Sequence, residues 1–349
     1  MRARTFVIAS AIAFLSASLM AGGQHPDIVN GKLDQASAAA GLQAAIAVVT
    51  RADAGPAWIG YAVQAVADGQ RNGRADHGWG SCSAHLDGYE SQTTGSGART
   101  GPSQRSIQIF LRIQQQRIDK IRMFESNCRV DAGGNTVYWL TDVRPAESVE
   151  LLRPYAQEGP HGDKGAALAA IASTDDPSAD TVLAQFTSTS SPADLRGETA
   201  FWLGAARGQR GYEMLHTLVK SDPSDEVRDR AIFALSITPA PEAVDTLIDE
   251  ARHDTNPHLR GQAMFWLAQK AGEKAVAVIN SAVENDPDTE VKKKAVFALS
   301  QLPPDRGVPL LIKTAETNRN PEVRKQAFFW LGQSKDPRAL DFIARVILN

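Results

Sequence analysis

A basic residue recurs every 32 positions through the second half of this chain, with no insertion: Arg196, Arg228, Arg260, Lys292 and Arg324. Other slots keep the same step. Leucine returns at Leu203, Leu235, Leu267, Leu299 and Leu331, and phenylalanine at Phe201, Phe233, Phe265, Phe297 and Phe329. A second apolar series, Leu151, Leu183, Leu215, Leu247, Ile279, Leu311 and Ile343, runs in step with them. A fixed period of roughly 20–50 residues marks a stack of like units, in which each unit buries its apolar face against the next. That feature excludes most other folds for residues after about 145.

Each unit reads as two helices. In the last, Val323, Ala327, Phe328, Trp330 and Leu331 are apolar at helical spacing, and Gly332 stands where a helix can stop. Asp336 and Pro337 then start a second helix, which places Leu340, Ile343 and Val346 on one side. Pro192, Pro223, Pro257, Pro287 and Pro321 mark the turns before the basic slot. A degenerate copy, "DKGAALAAIAS", carries Lys164, Ala169 and Ile171 in the corresponding slots, and "AESVELLRPYAQE" reads as a capping helix. Neither helix of a pair can bury its stripe alone, whereas stacked pairs can.

The phrase V-R-x-x-A-x-x-x-L-G/S followed by a turn and an A-x-x-x-L/I helix resembles the short bacterial HEAT family, often called PBS-lyase HEAT-like repeats. It covers about 160–349. The resemblance implies a mainly α fold: a right-handed α-solenoid of helix pairs. It implies a scaffold rather than a specific activity, because folds of this kind host many functions. Some relatives attach or isomerise bilin chromophores, and an exported chain would have no access to that substrate. In HEAT arrays the recurrent basic residue bonds to neighbouring carboxylates and helix ends. Arg196, Arg228, Arg260, Lys292 and Arg324 are therefore expected to form a structural ladder. Asp245, Asp341 and the acidic residues two positions before the slot are the candidate partners.

The two aromatic slots differ. The position before the leucine reads Ala170, Trp202, Ala234, Trp266, Ala298, Trp330, a strict alternation that makes 64 residues the larger unit. It lies about 60° from the alanine slot on the wheel, within the core arc. The phenylalanine slot lies about 200° from that alanine, off the core face. Phe201, Phe233, Phe265, Phe297 and Phe329 are either tucked against neighbouring units by the superhelical rotation, or exposed as a candidate partner-binding stripe.

Residues 24–145 have another texture and read as a small, mainly β (α+β) domain that covers the first repeat. "LDQASAAAGLQAAIAVV" suggests a helix and "PAWIGYAVQAV" a strand. Two β-branched runs around "QQQ" suggest a hairpin. Cys82 and Cys128 are the only cysteines. A disulfide, a metal site with His77 and His85, and free thiols are the possible readings, and an even pair in an exported chain favours the disulfide.

The chain opens with Arg2 and Arg4, an apolar run from Phe6 to about Met20, and small residues. This reads as a cleaved signal peptide over 1–23, which makes the mature protein secreted or periplasmic. Of 37 Lys and Arg, loss of those two leaves 35 against 40 Asp and Glu, a formal charge of −5. A mildly acidic chain without a basic block is a poor nucleic-acid binder. No phosphate loop, G-x-S-x-G, H-E-x-x-H or C-x-x-C is present, so no catalytic residue, metal or cofactor is assigned. Two functions remain: an extracytoplasmic scaffold for a protein or peptide partner, or an N-terminal domain that binds a ligand or metal, or is catalytic, with the solenoid as its support. The second would draw on Asp76, His77, His85, Asp87 and Glu90.

Overall fold

The computed structural model describes residues 26–52, 56–66, 81–88, 91–94, 106–125, 128–159, 161–270 and 272–348. The N-terminal part runs β1 (Asp27–Val29), β2 (Lys32–Ser37), α1 (Leu42–Ala52), β3 (Ala57–Gln64), β4 (Ser81–His85), β5 (Ser91–Thr94), β6 (Ser106–Gln114), β7 (Arg117–Glu125), β8 (Arg129–Asp131) and β9 (Thr136–Thr141). A five-stranded sheet has the order β2-β9-β3-β6-β7, parallel over its first three strands and antiparallel beyond. A four-stranded sheet has the order β1-β8-β4-β5.

The five-stranded sheet is a middle layer. Alternate residues of β3 and β6 point to opposite faces. Trp58 and Phe110 join Leu86, Cys128, Val130 and Trp139 on one face. Ile59, Tyr61, Ile109 and Leu111 join the helical core on the other. Burial on both faces is why these strands read as nearly continuous apolar runs. Gly60 is required between the layers, since a Cβ there would stand 2.9 Å from both Phe110 and Trp139.

The expected helix over "LDQASAAAGLQAAIAVV" is only half right. Helix α1 starts at Leu42, and Lys32–Ser37 is a strand paired with β9 about 100 residues away. The alanine run Ala38–Ala40 forms the turn before α1, and the residues ahead of it are drawn into the ladder with β9. The hairpin is present, with a two-residue turn at Gln115 and Gln116, both at positive φ (51° and 62°). Such turns favour Asn-Gly. Replacing Gln115→Asn and Gln116→Gly together is therefore expected to stabilise the fold by about 1 kcal/mol in urea titration. No gain would mean that the glutamines relieve the strain elsewhere.

Helix α2 (Pro145–Glu158) leads into six helix pairs: α3 (His161–Ser173) with α4 (Pro177–Phe186), α5 (Ala193–Ala206) with α6 (Gly208–Ser221), α7 (Asp225–Ile237) with α8 (Glu242–His253), α9 (Pro257–Lys270) with α10 (Gly272–Asn285), α11 (Thr289–Ser300) with α12 (Pro304–Thr317), and α13 (Pro321–Gln333) with α14 (Pro337–Leu348). Side-chain oxygens of Asp176, Ser224, Asp288 and Asn320 accept the first free N–H groups of α4, α7, α11 and α13. The middle sheet seats on the first of these helices. Tyr61 Oη meets Ser148 Oγ at 2.9 Å, and Ile121 N donates to Asp163 Oδ1 at 2.9 Å. One apolar core therefore runs from the sheet into the array.

Cys128 is buried, and the side chain of Cys82 lies outside the described residues. Strands β4 and β8 are parallel, with Ser83 opposite Arg129. One step back in that register faces Cys82 with Cys128, and neighbouring strands lie about 4.8 Å apart, within the Cα separation that a disulfide needs. The bond is expected under oxidising conditions, closing a loop of about 45 residues and contributing about 4 kcal/mol. Intact mass after alkylation without reduction should show no added label; two labels would refute it.

Candidate functional site: an aromatic ladder on the inner layer

Successive first helices (α5, α7, α9, α11, α13) pack closely along the array, while successive second helices touch at few points. Closer spacing puts the first helices on the inside of the curve. The core face of each first helix is set by Thr199, Ala231, Ala263, Ala295 and Ala327, all fully buried. The side opposite that face is the inner surface.

There the phenylalanine and tryptophan slots meet. Phe201 stacks on Phe233 (centroids 6.1 Å apart, planes 14° apart), and Phe265 stacks on Phe297 (5.6 Å, 6°). Tryptophans link the pairs. Trp266 lies 4.8 Å from both Phe233 and Phe265, and Trp330 lies 4.8 Å from Phe297 and 5.0 Å from Phe329. Trp202 meets Phe201 at 5.0 Å. Eight rings thus form one continuous ladder across five units. Stacked phenylalanine pairs alternate with tryptophan bridges, which accounts for the 64-residue alternation in the sequence. Phe233, Phe265 and Phe297 are half-buried by their neighbours, while Phe201 (38 % exposed) and Phe329 (54 %) stand open at the ends.

The tryptophans are partly buried: each packs against the helical core, as its place on an ideal wheel implies, and also meets the phenylalanines. Their slot follows the phenylalanine directly and lies at the edge of the core arc, so it borders both surfaces. Their membership of the ladder escaped the sequence reading, although the strict alternation with alanine was its signal.

Polar residues flank the rings. One turn before the phenylalanines lie Glu198, Arg230, Gln262, Lys294 and Gln326; one turn after them lie Gln269, Gln301 and Gln333. A cavity of about 210 Å³ opens between α3, α5 and α7, lined by Gly165, Gly197, Glu198, Phe201, Trp202, Arg230 and Phe233. Glu198 is held by Lys164 at 3.2 Å, and Arg230 by Glu226 at 2.7 Å.

The basic slots face away from this surface, and their partners differ from those expected. Arg196 donates in two bonds to Asp222 (2.7 and 2.8 Å), and Arg260 in two to Asp286 (both 2.9 Å). Arg228 pairs with Asp254. These aspartates sit in the turn that leaves the second helix, and each also accepts the N–H two residues on, from Ser224, Asn256 and Asp288. Asp245 instead meets Lys274. A carboxylate in the turn is reached because the arginine crosses the end of its own unit. Lys292 donates to Glu284 O, and Arg324 to Asn318 O, so the last two rungs use backbone carbonyls.

In the N-terminal domain His85 lies 3.3 Å from Asp131, and Asp87 pairs with Arg112 at 2.9 Å. Asp76, His77 and Glu90 lie outside the described residues. No group of three or more His, Cys, Asp or Glu among the described residues is arranged to hold a metal ion, and no described helix is long and apolar enough to cross a membrane.

The HEAT-repeat family profile matches residues 180–268, 244–316 and 276–349. No curated protein matches the chain. Among solved structures, the phycocyanin lyase complex of CpcE and CpcF from Nostoc aligns at 21 % identity over 46 % of this chain and 100 % of its own, with a TM-score of 0.35. Human deoxyhypusine hydroxylase aligns at 18 % over 58 % and 90 %, with a TM-score of 0.26. A condensin subcomplex of S. pombe aligns at 18 % over 54 % and 28 %, with a TM-score of 0.36.

Proposed function

This chain belongs to the HEAT-repeat family through residues 180–349, and from that premise we propose that it is an extracytoplasmic scaffold that binds a polypeptide along its inner layer, without chemistry of its own. The observation that carries the proposal is the ladder of eight rings bordered by amides. Rings supply apolar area at low entropic cost, and an amide both donates and accepts, as a peptide backbone requires. Adjacent helices are about 10 Å apart. A polyproline II segment advances about 9.3 Å in each three-residue turn, so it would present the same side to every unit.

The experiment places arginine on the exposed amides Gln269 and Gln301, which leaves the rings in place. The double variant should melt as the wild type does. It should lose the envelope partner that the wild type captures, identified by mass spectrometry and reconstituted from purified components. Undiminished binding would put the partner on another face. Export is checked by sequencing the N-terminus of the mature protein, which should begin near residue 24.

A further inference from the structure

The ladder lacks one rung. Where a tryptophan occupies its slot, its ring touches the phenylalanine of the preceding unit, Trp266 on Phe233 and Trp330 on Phe297. For Trp202 the corresponding position is Ala169, so no ring precedes it. Helical side chains lean toward the N-terminus and cover the turn before their own Cα. The absent ring would therefore lie over Gly165, one turn before Ala169. Gly165 lines the cavity of about 210 Å³, together with Trp202 and Phe201. A Cβ added to Gly165 would meet nothing within 4 Å. An apolar cavity of about 150 Å³ is known to hold benzene, so one aromatic ring fits.

We propose that this cavity receives a single aromatic side chain from a polypeptide partner, which completes the ladder against Trp202 and Phe201. The inference rests on the reading of the inner layer as a polypeptide surface, and the paired charges of Glu198 and Arg230, an acceptor beside a donor, match the dipoles of a peptide unit and so select the occupant. Glu198 has acceptor capacity beyond its Lys164 contact, and Arg230 has donors beyond its Glu226 contact. A ring carried on a peptide can use both, its amide N–H donating to Glu198 and its carbonyl accepting from Arg230. A bare hydrocarbon ring can use neither.

The test uses the full mature chain and the nitrogen–proton signals of its tryptophan indoles in NMR. N-acetyl-phenylalaninamide should shift the Trp202 signal and leave those of Trp266 and Trp330 in place. N-acetyl-leucinamide and toluene should each bind about tenfold more weakly, the first for want of a ring and the second for want of an amide. Gly165→Leu fills the cavity from a helical position that tolerates a side chain; it should fold, melt no lower than the wild type, and lose the shift. Equal binding of the leucine amide, or a shift that survives Gly165→Leu, would overturn the ring site. Toluene binding as tightly as the amide would overturn the polypeptide assignment. No shift at all would refute the inference, while partner capture in the Gln269 and Gln301 variant reports on the inner layer independently.

Discussion

Arg196→Met should cost about 3–5 kcal/mol of stability, because it strands the carboxylate of Asp222 in the interior. The Asp222 side chain is fully buried and that of Arg196 only 6 % exposed. Two charge-assisted bonds join them, and a third from the same guanidinium holds Ser191 O at 2.6 Å. The arginine therefore ties the turn entering its unit to the turn leaving it. The Asp222 carboxylate in turn holds the guanidinium pKa above its already high range.

A second variant separates the stranded charge from the lost contacts. Asp222→Asn keeps the acceptor for Ser224 N, as Asn318 does for Asn320 N at 3.0 Å in the unit that uses asparagine. Added to Arg196→Met, it should recover about 1–2 kcal/mol of the loss in a denaturant titration. If Arg196→Met alone costs under about 1 kcal/mol, water reaches the pair and the clamp is ornamental. Because repeats couple only to neighbours, the opening should begin around α5 to α7, where hydrogen exchange would show it.

The basic period was legible in the sequence; its partners were not, although Asp222, Asp254, Asp286 and Asn318 repeat at the same step. They went unread because a wheel relates residues within one helix, while the arginine reaches a turn 26 residues further on. The N-terminal domain was harder for a different reason. Its hairpin is local and declared itself, but β2 pairs with β9 across about 100 residues, and nothing near Lys32 signals that partner. The phenylalanine slot was correctly set off the core face by its 200° angle. What an angle within one helix could not supply was the contact between units, which brings Phe233 onto Trp266 and Phe297 onto Trp330.

Those contacts between units give unequal weight to tryptophans that look identical in sequence. Trp266→Ala should cost about 2–4 kcal/mol, somewhat less than a fully buried tryptophan, since its ring is half-buried. It would break contacts with two rings, Phe233 and Phe265. Trp202→Ala would break one, with Phe201, because Ala169 offers no ring on the other side. Its cost should therefore be smaller by about the worth of one aromatic pair, ~0.5–1.5 kcal/mol. Urea titration of the two variants under one set of conditions reads the difference directly. Equal costs would mean that the tryptophans act by burial alone, and the alternation would then reflect volume rather than ring contact. A larger cost at Trp202 would mean that the cavity beside it is already filled in the free protein. The expected order instead makes Trp202 the rung whose second face is still unmatched, next to a cavity that borders the ladder at that end.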